Sequence, residues 1–404
     1  MNFSIFKKIA VFFYSIFQTI FLFFLYFLSG FKAKKKNLWC FGSLGGKEFR
    51  GNAKYLFNHL KKNHPEIEIY WISKSRNISS QLKKEGVNSI YAYDFEGMKK
   101  ISSASLFFCT HGFADVVLAL TRKAKIIHLG HMTCSIKENS RKKLIQKKSF
   151  LHRLYEFVKL GYYYIRKINY GIYSSNFTKE NLTIEDKWYA QEKLILGLPK
   201  TDYLLSVKDK KTSDQLFKKN TDNEKIILFL PTRRNDKSFH IFNYGFAEKK
   251  IEEFAKVHNC KFYVSHHPTN VNKIIPDYKS DKIQTLKLNG NSIDDALSAA
   301  DLLVTDYGSI FADYLIFNKP IIFAKFDHLK FINENGLKIN YETLPGPKVN
   351  NWDDLLFHTK ELLLTKDSYI KDRENWKKSL YDFKDGKNCE RITNYFKNVQ
   401  KYEK

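Results

Sequence analysis

The pattern of apolar and polar residues divides the chain into one long uncharged run and two later series of short apolar segments. The short segments alternate with amphipathic stretches such as residues 52–62, where Leu56, Phe57 and Leu60 share one face of a helix. Within each segment the apolar residues are consecutive rather than alternating, which indicates strands covered on both faces of a sheet. The pattern therefore predicts an α/β fold of the doubly wound type.

The two series of segments predict two domains. The first series predicts strands at residues 37–41, 67–73, 89–93, 106–110 and 125–129, and the second at residues 225–230, 261–265, 301–305 and 320–324. The turn-forming residues Gly197 and Pro199 lie between the two series. We therefore expect a Rossmann-like domain over residues 37–198 and another over residues 199–404. Their strand ends would face a shared cleft, and the helix after Gly386 would pack across both.

The uncharged run at residues 9–31 is long enough, as a helix, to cross a hydrocarbon core of about 30 Å. Lysines precede it at positions 7 and 8 and follow it more densely at positions 32, 34, 35 and 36. We predict a membrane anchor over residues 1–36, with the catalytic part on the cytoplasmic side of the cell inner membrane. A cleaved signal peptide would have a shorter apolar region and a small-residue cleavage site, and a helix lying in the membrane plane would be apolar on one face only.

The composition adds a strong positive charge. Lys and Arg number 68 against 42 Asp and Glu, which gives a formal charge of +26. Such a charge attracts nucleic acid, anionic lipid or an anionic polymer. Alternatively, it reflects only a proteome that is generally rich in lysine. No nucleic-acid motif accompanies the lysines, so we expect an anionic membrane surface and no nucleic acid as partners. The basic, aromatic stretch at residues 138–166 would contact the membrane or acceptor, or pack on the first domain. Five dispersed cysteines indicate a reducing compartment and argue against a disulfide framework or a zinc site.

Two histidines end predicted strands of the first domain. His131 follows the strand at residues 125–129, where an imidazole could take a proton from a hydroxyl near neutral pH. His111 follows the strand at residues 106–110 and would face the same cleft. His128 lies within a strand and is interpreted as structural.

The second domain also has polar residues at strand ends. Arg233 and Arg234 follow the strand at residues 225–230 and could grip phosphate oxygens, or could simply be a solvated charge pair. His267 follows the next strand and could stabilise charge on a phosphoryl group, or could be a turn histidine held by Pro268.

The strongest single segment is the turn after the strand at residues 301–305. Thr305, Asp306, Gly308 and Ser309 form a tight turn before a predicted helix. The backbone N–H groups and the Ser309 hydroxyl could bind an anion there. We expect Asp306 to orient this turn or to cap the helix.

Six short segments occur in one order along residues 37–395. They are His131 to Lys137; Gly197, Pro199, Lys200 and Asp202; Pro231, Thr232 and Arg234; His267 and Pro268; Thr305 to Ser309; and Asp385, Gly386, Lys387 and Arg391. Together they resemble the motifs of the CDP-glycerol glycerophosphotransferase family, which includes teichoic acid primases and polymerases. Departures from that family's motifs include Met132 for a glycine, Lys200 for an arginine, Gly308 for a serine and Lys384 for an aspartate.

The resemblance implies a GT-B arrangement with the donor nucleotide in the second domain and the acceptor on the first, without a cofactor or an essential metal. It implies transfer of glycerol phosphate or another polyol phosphate from a CDP-activated donor to a lipid-linked or glycan acceptor, with release of CMP. His131 would be the base, while Arg234, His267 and the turn at residues 305–309 would hold the diphosphate. The alternatives are a GT-B glycosyltransferase that uses a nucleotide sugar and a non-catalytic membrane protein that organises an anionic glycan.

Overall fold

Two parallel β-sheets organise the chain, and the polar strand-end residues lie on the loops that leave them. The computed structural model describes residues 3–131, 133–138, 166–181, 190–207, 216–217, 219, 221, 223–232, 234, 243–265, 278–288 and 290–402. The basic stretch at residues 138–166 therefore falls, apart from its ends, outside the described residues.

The first sheet contains seven strands in the order β3-β2-β1-β4-β5-β6-β7, and every pair is parallel. Its strands are β1 (Lys35–Gly42), β2 (Glu68–Ser73), β3 (Ser89–Tyr91), β4 (Ala104–Cys109), β5 (Lys125–His128), β6 (Ile168–Tyr173) and β7 (Ala190–Ile195). The helices before and within this part of the chain are α1 (Phe3–Ser29), α2 (Gly51–Asn63), α3 (Arg76–Lys84), α4 (Phe95–Ser103) and α5 (Asn176–Asn181).

The second sheet contains six strands in the order β10-β9-β8-β11-β12-β13, again all parallel. Its strands are β8 (Lys225–Leu230), β9 (Cys260–Val264), β10 (Ile283–Thr285), β11 (Leu302–Thr305), β12 (Ile321–Ala324) and β13 (Lys348–Val349). The helices of this part are α6 (Pro199–Val207), α7 (Glu248–Val257), α8 (Ile293–Ala299), α9 (Ile310–Tyr314), α10 (His328–Asn335), α11 (Trp352–Lys360), α12 (Ile370–Leu380) and α13 (Asn388–Tyr402).

The central strands are buried on both faces, as their continuous apolar sequence predicts. Four or five consecutive residues of β1, β8, β9 and β11 are buried, and apolar cores lie on both sides of each sheet. The prediction of a doubly wound α/β fold is confirmed. Strands β6, β7, β10 and β13 were not predicted.

The last helix returns from the second sheet to the first. In α13, Ile392 and Phe396 are fully buried in the same core as Leu56 and Phe57 of α2. The Asp202 carboxylate accepts hydrogen bonds from the first backbone N–H groups of this helix. The helix after Gly386 thus closes the chain onto the first domain.

Helix α1 packs one side of its C-terminal half on the first domain. Leu22, Leu25 and Tyr26 lie against the core that contains Leu118, and the Arg122 guanidinium lies 4.9 Å from the Phe27 ring centroid. In the part of the chain that the structure describes, no helix is long and apolar enough to cross a membrane. The structure therefore does not confirm the predicted membrane-spanning helix.

Candidate functional site

Both sheets reverse their strand order at one point, and the candidate residues lie there. The reversal falls between β1 and β4 in the first sheet and between β8 and β11 in the second. Open parallel sheets bind ligands beyond the carboxyl ends of the strands at such switch points. His111 follows β4, and Thr232 and Asp306 follow β8 and β11. The topology therefore places the predicted residues where this fold class binds ligands.

The structure brings the two predicted first-domain histidines together. The rings of His111 and His131 are stacked, with centroids 4.7 Å apart and planes inclined by 24°. The loop that carries His131 continues to the second domain, where the Thr133 hydroxyl donates to the Asp313 carboxylate at 2.9 Å. His131 thus lies on a loop that joins the two domains, and its side chain is exposed to solvent.

Asp115 organises the loop around His111. Its carboxylate is fully buried and accepts from the backbone N–H groups of Gly45 at 2.8 Å, Thr110 at 2.8 Å and His111 at 2.6 Å. The same carboxylate lies 3.9 Å from Nδ1 of His111. Three backbone donors on one carboxylate hold the ends of β1 and β4 in fixed relation.

The hydrogen bonds of His111 define its tautomer. Its Nδ1 accepts from the Leu44 N–H at 3.4 Å and lies 2.7 Å from the Thr110 hydroxyl. A neutral imidazole whose Nδ1 accepts must carry its proton on Nε2. His111 can therefore offer an N–H donor at Nε2, while its lone pair at Nδ1 is already used.

The pKa values of both histidines are lowered. Desolvation lowers the pKa of His111, and the Asp115 charge opposes that effect only in part. Desolvation also lowers the pKa of His131, with smaller contributions from the nearby His111, His128 and Lys200. The exposed His131 ring limits the size of this shift, but its direction keeps the imidazole neutral near pH 7, the form that can accept a proton.

Asn52 connects the His131 loop to the domain boundary. Its buried side-chain amide donates to the backbone oxygens of Leu129 at 3.1 Å and Gly130 at 2.8 Å, and its Oδ1 accepts from the Lys200 N–H at 2.8 Å. The two carbonyls directly precede His131. Asn52 therefore fixes the start of the loop that carries the candidate base.

The Lys200 side chain links helix α6, which begins at the domain boundary, to helices α8 and α9. Its Nζ lies 2.5 Å from the Asp313 carboxylate and 3.9 Å from Asp294, and all three residues are buried. Desolvation acts to lower the pKa of Lys200, but the two carboxylates outweigh it and raise that pKa. The Tyr55 hydroxyl donates to Asp294 at 2.5 Å. This ionic network fastens helices α8 and α9 to the first domain.

In the second domain, Arg234 is buried between two carboxylates. Its Nε and one terminal nitrogen each donate to Asp327 at 2.7 Å, and the same terminal nitrogen lies 2.9 Å from Asp306. Another terminal nitrogen donates to the Thr232 carbonyl at 2.8 Å. We expected Arg234 to grip phosphate, but its guanidinium is engaged with protein carboxylates because the loop after β12 supplies Asp327. Its observed contacts support the turn.

Asp306 orients the turn after β11. One oxygen accepts from the Thr232 N–H at 2.8 Å and the Tyr307 N–H at 2.6 Å, and it also binds the Thr232 hydroxyl. The Thr305 hydroxyl donates to the Leu230 carbonyl at 2.9 Å. Asp306 and Thr305 therefore hold β8 and β11 together.

Gly308 and Ser309 lie at the end of this turn. A Cβ at Gly308 would lie 3.1 Å from the Thr232 hydroxyl oxygen, so a side chain there would crowd the neighbouring loop. Ser309 precedes α9 and makes no side-chain hydrogen bond that caps this helix. Its hydroxyl is partly exposed at the second switch point. The predicted residues Arg233 and His267 lie outside the described residues.

Several residues of this site had no role in the sequence interpretation. The fold brings three buried aspartates, Asp115, Asp313 and Asp327, next to their partners. Arg234 and Asp327, for example, lie 93 positions apart in the sequence. Only Asp115 carried a local signal, since it follows His111 by four positions.

The chain resembles proteins of teichoic acid synthesis. It is 30% identical over 233 residues to a teichoic acid glycerol-phosphate primase of Bacillus subtilis (strain 168), covering 56% of this chain and 55% of that protein. It is 26% identical over 206 residues to the teichoic acid ribitol-phosphate polymerase TarK of Staphylococcus aureus (strain NCTC 8325 / PS 47), covering 48% and 39%. The matches thus span about half or less of the length of these curated relatives.

A solved structure of the wall teichoic acid polymerase TagF has the same fold. It superposes with a TM-score of 0.71 at 19% identity, covering 91% of this chain and 90% of that chain. This similarity supports the GT-B-like arrangement of the two sheets. The family model described as CDP-Glycerol:Poly(glycerophosphate) glycerophosphotransferase matches residues 24–398, and with a match of this extent the chain belongs to that family.

Proposed function

We propose that this protein transfers glycerol phosphate, or another polyol phosphate, from a CDP-activated donor to a lipid-linked or glycan acceptor. The observation that carries this proposal is the stacked pair of His111 and His131 at the first switch point, in a chain that matches the family model from residue 24 to residue 398. Curated relatives named for glycerol phosphate and for ribitol phosphate both match, which supports the substrate class rather than one polyol.

In the proposed reaction an acceptor hydroxyl oxygen attacks the β-phosphorus of the donor. The new P–O bond forms as the bond from that phosphorus to the bridging oxygen breaks, so CMP leaves with the bridging oxygen. The hydroxyl proton goes to a base. Positioning and electrostatic stabilisation supply most of the rate in phosphoryl transfer.

We assign the role of general base to His131. We assign to His111 the role of a hydrogen-bond donor to the phosphoryl group. The lowered pKa of His131 supports a neutral imidazole, and its place on the loop between the domains supports contact with both substrates. His111 uses its Nδ1 lone pair within the protein, which leaves Nε2–H to donate to a phosphoryl oxygen. The first domain, residues 37–198, would then bind the acceptor.

The second domain, residues 199–404, would bind the donor nucleotide. The turn from Thr305 to Ser309 lies at its switch point, and the hydroxyl of the partly exposed Ser309 could reach a phosphate. Arg233 and His267 complete the proposed diphosphate site.

We further propose that residues 1–36 attach the protein to the cytoplasmic face of the cell inner membrane. Residues 9–31 contain no charge, and Phe17 and Phe24 on α1 and Phe31 just after it are exposed. After membrane fractionation, attachment predicts that the full chain resists an alkaline carbonate wash. Complete release into the wash would contradict an integral anchor.

The activity is tested by the nucleotide that is released. The full chain in detergent, with a membrane extract as acceptor, is incubated separately with CDP-glycerol, CDP-ribitol and nucleotide sugars. We expect CMP from a CDP-polyol, released about 100-fold or more slowly by the His131→Ala variant. Release of a nucleoside diphosphate from a nucleotide sugar would establish a glycosyltransferase instead, and no release from any donor would support the non-catalytic alternative.

A further inference from the structure

The C-terminal turn of α2, the residue that follows it and the first turn of α13 bring two imidazoles onto one carboxylate oxygen. Oε2 of Glu390 lies 3.1 Å from Nε2 of His59 and 3.1 Å from Nε2 of His64. The three ligand atoms all lie within 4.8 Å of one another. Among the described residues, this is the group of histidine, cysteine and acidic side chains whose geometry could hold a metal ion.

We propose that His59, His64 and Glu390 bind a divalent transition-metal ion, with zinc as the best match, and that this ion fastens α13 to the first domain. Two imidazole nitrogens and one carboxylate oxygen are a common ligand set for zinc, with water in the fourth position. Zinc–ligand bonds of 2.0–2.2 Å at tetrahedral angles require ligand atoms about 3.3–3.5 Å apart. The two observed separations of 3.1 Å need to change by only a few tenths of an ångström.

The hydrogen bonds of His64 point to a cation at Nε2. Its Nδ1 lies 3.2 Å from Oε1 of Glu66, while its Nε2 faces Glu390. A neutral imidazole has one N–H, so it cannot donate to two carboxylates at once. With a metal ion at Nε2, the Nδ1–H donates to Glu66, which is the carboxylate–histidine–metal arrangement that orients metal ligands.

The other two ligands also have supporting partners. Nδ1 of His59 lies 3.1 Å from the side-chain nitrogen of Asn63, and a half-turn of that exposed amide presents its oxygen to an Nδ1–H instead. The second oxygen of Glu390 accepts from Asn394 at 2.9 Å. Each of the three ligand side chains therefore has a further hydrogen-bond partner that positions it. One side of the cluster is open to solvent, because 43% of the Glu390 side chain is exposed.

The backbone beneath the cluster is anchored by buried side chains. Leu60 lies between the two histidines in sequence, and Ile392 lies two positions after Glu390. Both are fully buried in the core shared by α2 and α13. The ion would thus add a link between a helix near the start of the first domain and the helix that closes the chain. The dispersed cysteines argued against a zinc site, but this cluster uses none of them.

The test uses the full chain, purified without a polyhistidine tag and treated with a chelator. Calorimetric titration with zinc chloride should show one ion bound per chain, and magnesium should not compete, because hard cations prefer oxygen ligands. With zinc about 100-fold above its Kd, the Tm should rise by roughly 5 °C. Absence of zinc uptake would overturn the proposal.

Variants separate this site from the other histidines. His59→Ala, His64→Ala and Glu390→Gln should each lower zinc affinity at least about 10-fold, with circular dichroism used to confirm folding. The matched control is His358→Ala, since His358 forms a similar partly buried pair with Glu361 at 3.0 Å without a second imidazole. Equal loss of affinity in the control, or unchanged affinity in the three site variants, would refute the assignment.

Discussion

Substitution of Asn52 by leucine tests whether the His131 loop must be held in place. The Asn52 side chain makes two buried hydrogen bonds, to Leu129 and Lys200, and a partly buried one to Gly130, and none of these partners is a proposed substrate-binding residue. Leucine has a similar size but no polar atoms, so three backbone groups, two of them buried, would lose their partners. At about 1 kcal/mol or more for each group, the free energy of unfolding should fall by at least about 3 kcal/mol.

Two readouts then separate stability from positioning. For a domain of this size the Tm should fall by roughly 6–12 °C, measured by differential scanning calorimetry. Because a shift of the catalytic loop by about 1 Å can cost a factor of about 100, kcat should fall about 100-fold at a temperature where the variant is still folded. The Kd for the CDP-polyol should stay within about twofold of the value for the unsubstituted chain. The perturbed loop follows a strand of the first sheet, whereas the donor nucleotide is proposed to bind the second domain.

The matched control is Asn388→Leu. Asn388 is also fully buried, and its amide donates to the Leu198 carbonyl at 3.3 Å, but it does not touch the His131 loop. We expect the control to lower the Tm with little change in kcat. If Asn52→Leu lowers the Tm but leaves kcat at the control's level, the loop does not depend on Asn52 and the reasoning is wrong.

Three further predictions concern single side chains. His131→Ala should lower kcat by about 100-fold or more with affinity for the CDP-polyol nearly unchanged, whereas His111→Ala should weaken CDP-polyol binding. Steady-state kinetics and direct binding measurements test this, and the reverse pattern would contradict the two assignments. Lys200→Met leaves Asp313 buried without its cation and should reduce the free energy of unfolding by about 3–5 kcal/mol. The double variant Lys200→Met with Asp313→Leu should recover part of this loss. An unchanged Tm in Lys200→Met would contradict the prediction. Burial lowers the pKa of His128 from 6.5 to about 4, so the unfolded chain binds the proton first as pH falls. The free energy of unfolding should therefore fall by about 3 kcal/mol between pH 6.5 and pH 4. Denaturant titrations of His128→Gln should show a smaller dependence of this free energy on pH.

The sequence predicted the inner strands well because burial on both faces leaves a continuous apolar run. Strand β8 begins and ends at the predicted residues, 225 and 230. The missed strands lie toward sheet edges, where this signal is lost. Strand β7 has the sequence AQEKLI with no fully buried residue, and β13 has only two residues. Pairing with a neighbour, rather than local hydrophobicity, makes these segments strands.

The candidate site was predicted less completely because its partners come from distant segments. His111 and His131 were found because strand ends are visible in the sequence. Their stacking depends on the adjacency of β4 and β5, which the sequence does not specify. The burial of Arg234 depends on Asp327, which follows a different strand.

A buried aspartate serves each switch point, and this arrangement limits which groups can meet an anionic donor. Asp115 takes backbone N–H groups from the loops after β1 and β4, and Asp306 takes them from the loops after β8 and β11. These N–H groups are therefore not available to a phosphate.

The charge balance of the second switch point points the same way. The single positive charge of Arg234 faces both Asp306 and Asp327, so these three residues together carry no surplus positive charge. A diphosphate needs positive charge or N–H donors close by. Within the proposed donor site that charge must come from other residues, of which Arg233 and His267 are the candidates that follow neighbouring strands. Arg234 then acts on the donor indirectly, because it holds the Asp306 turn in the shape that presents Ser309.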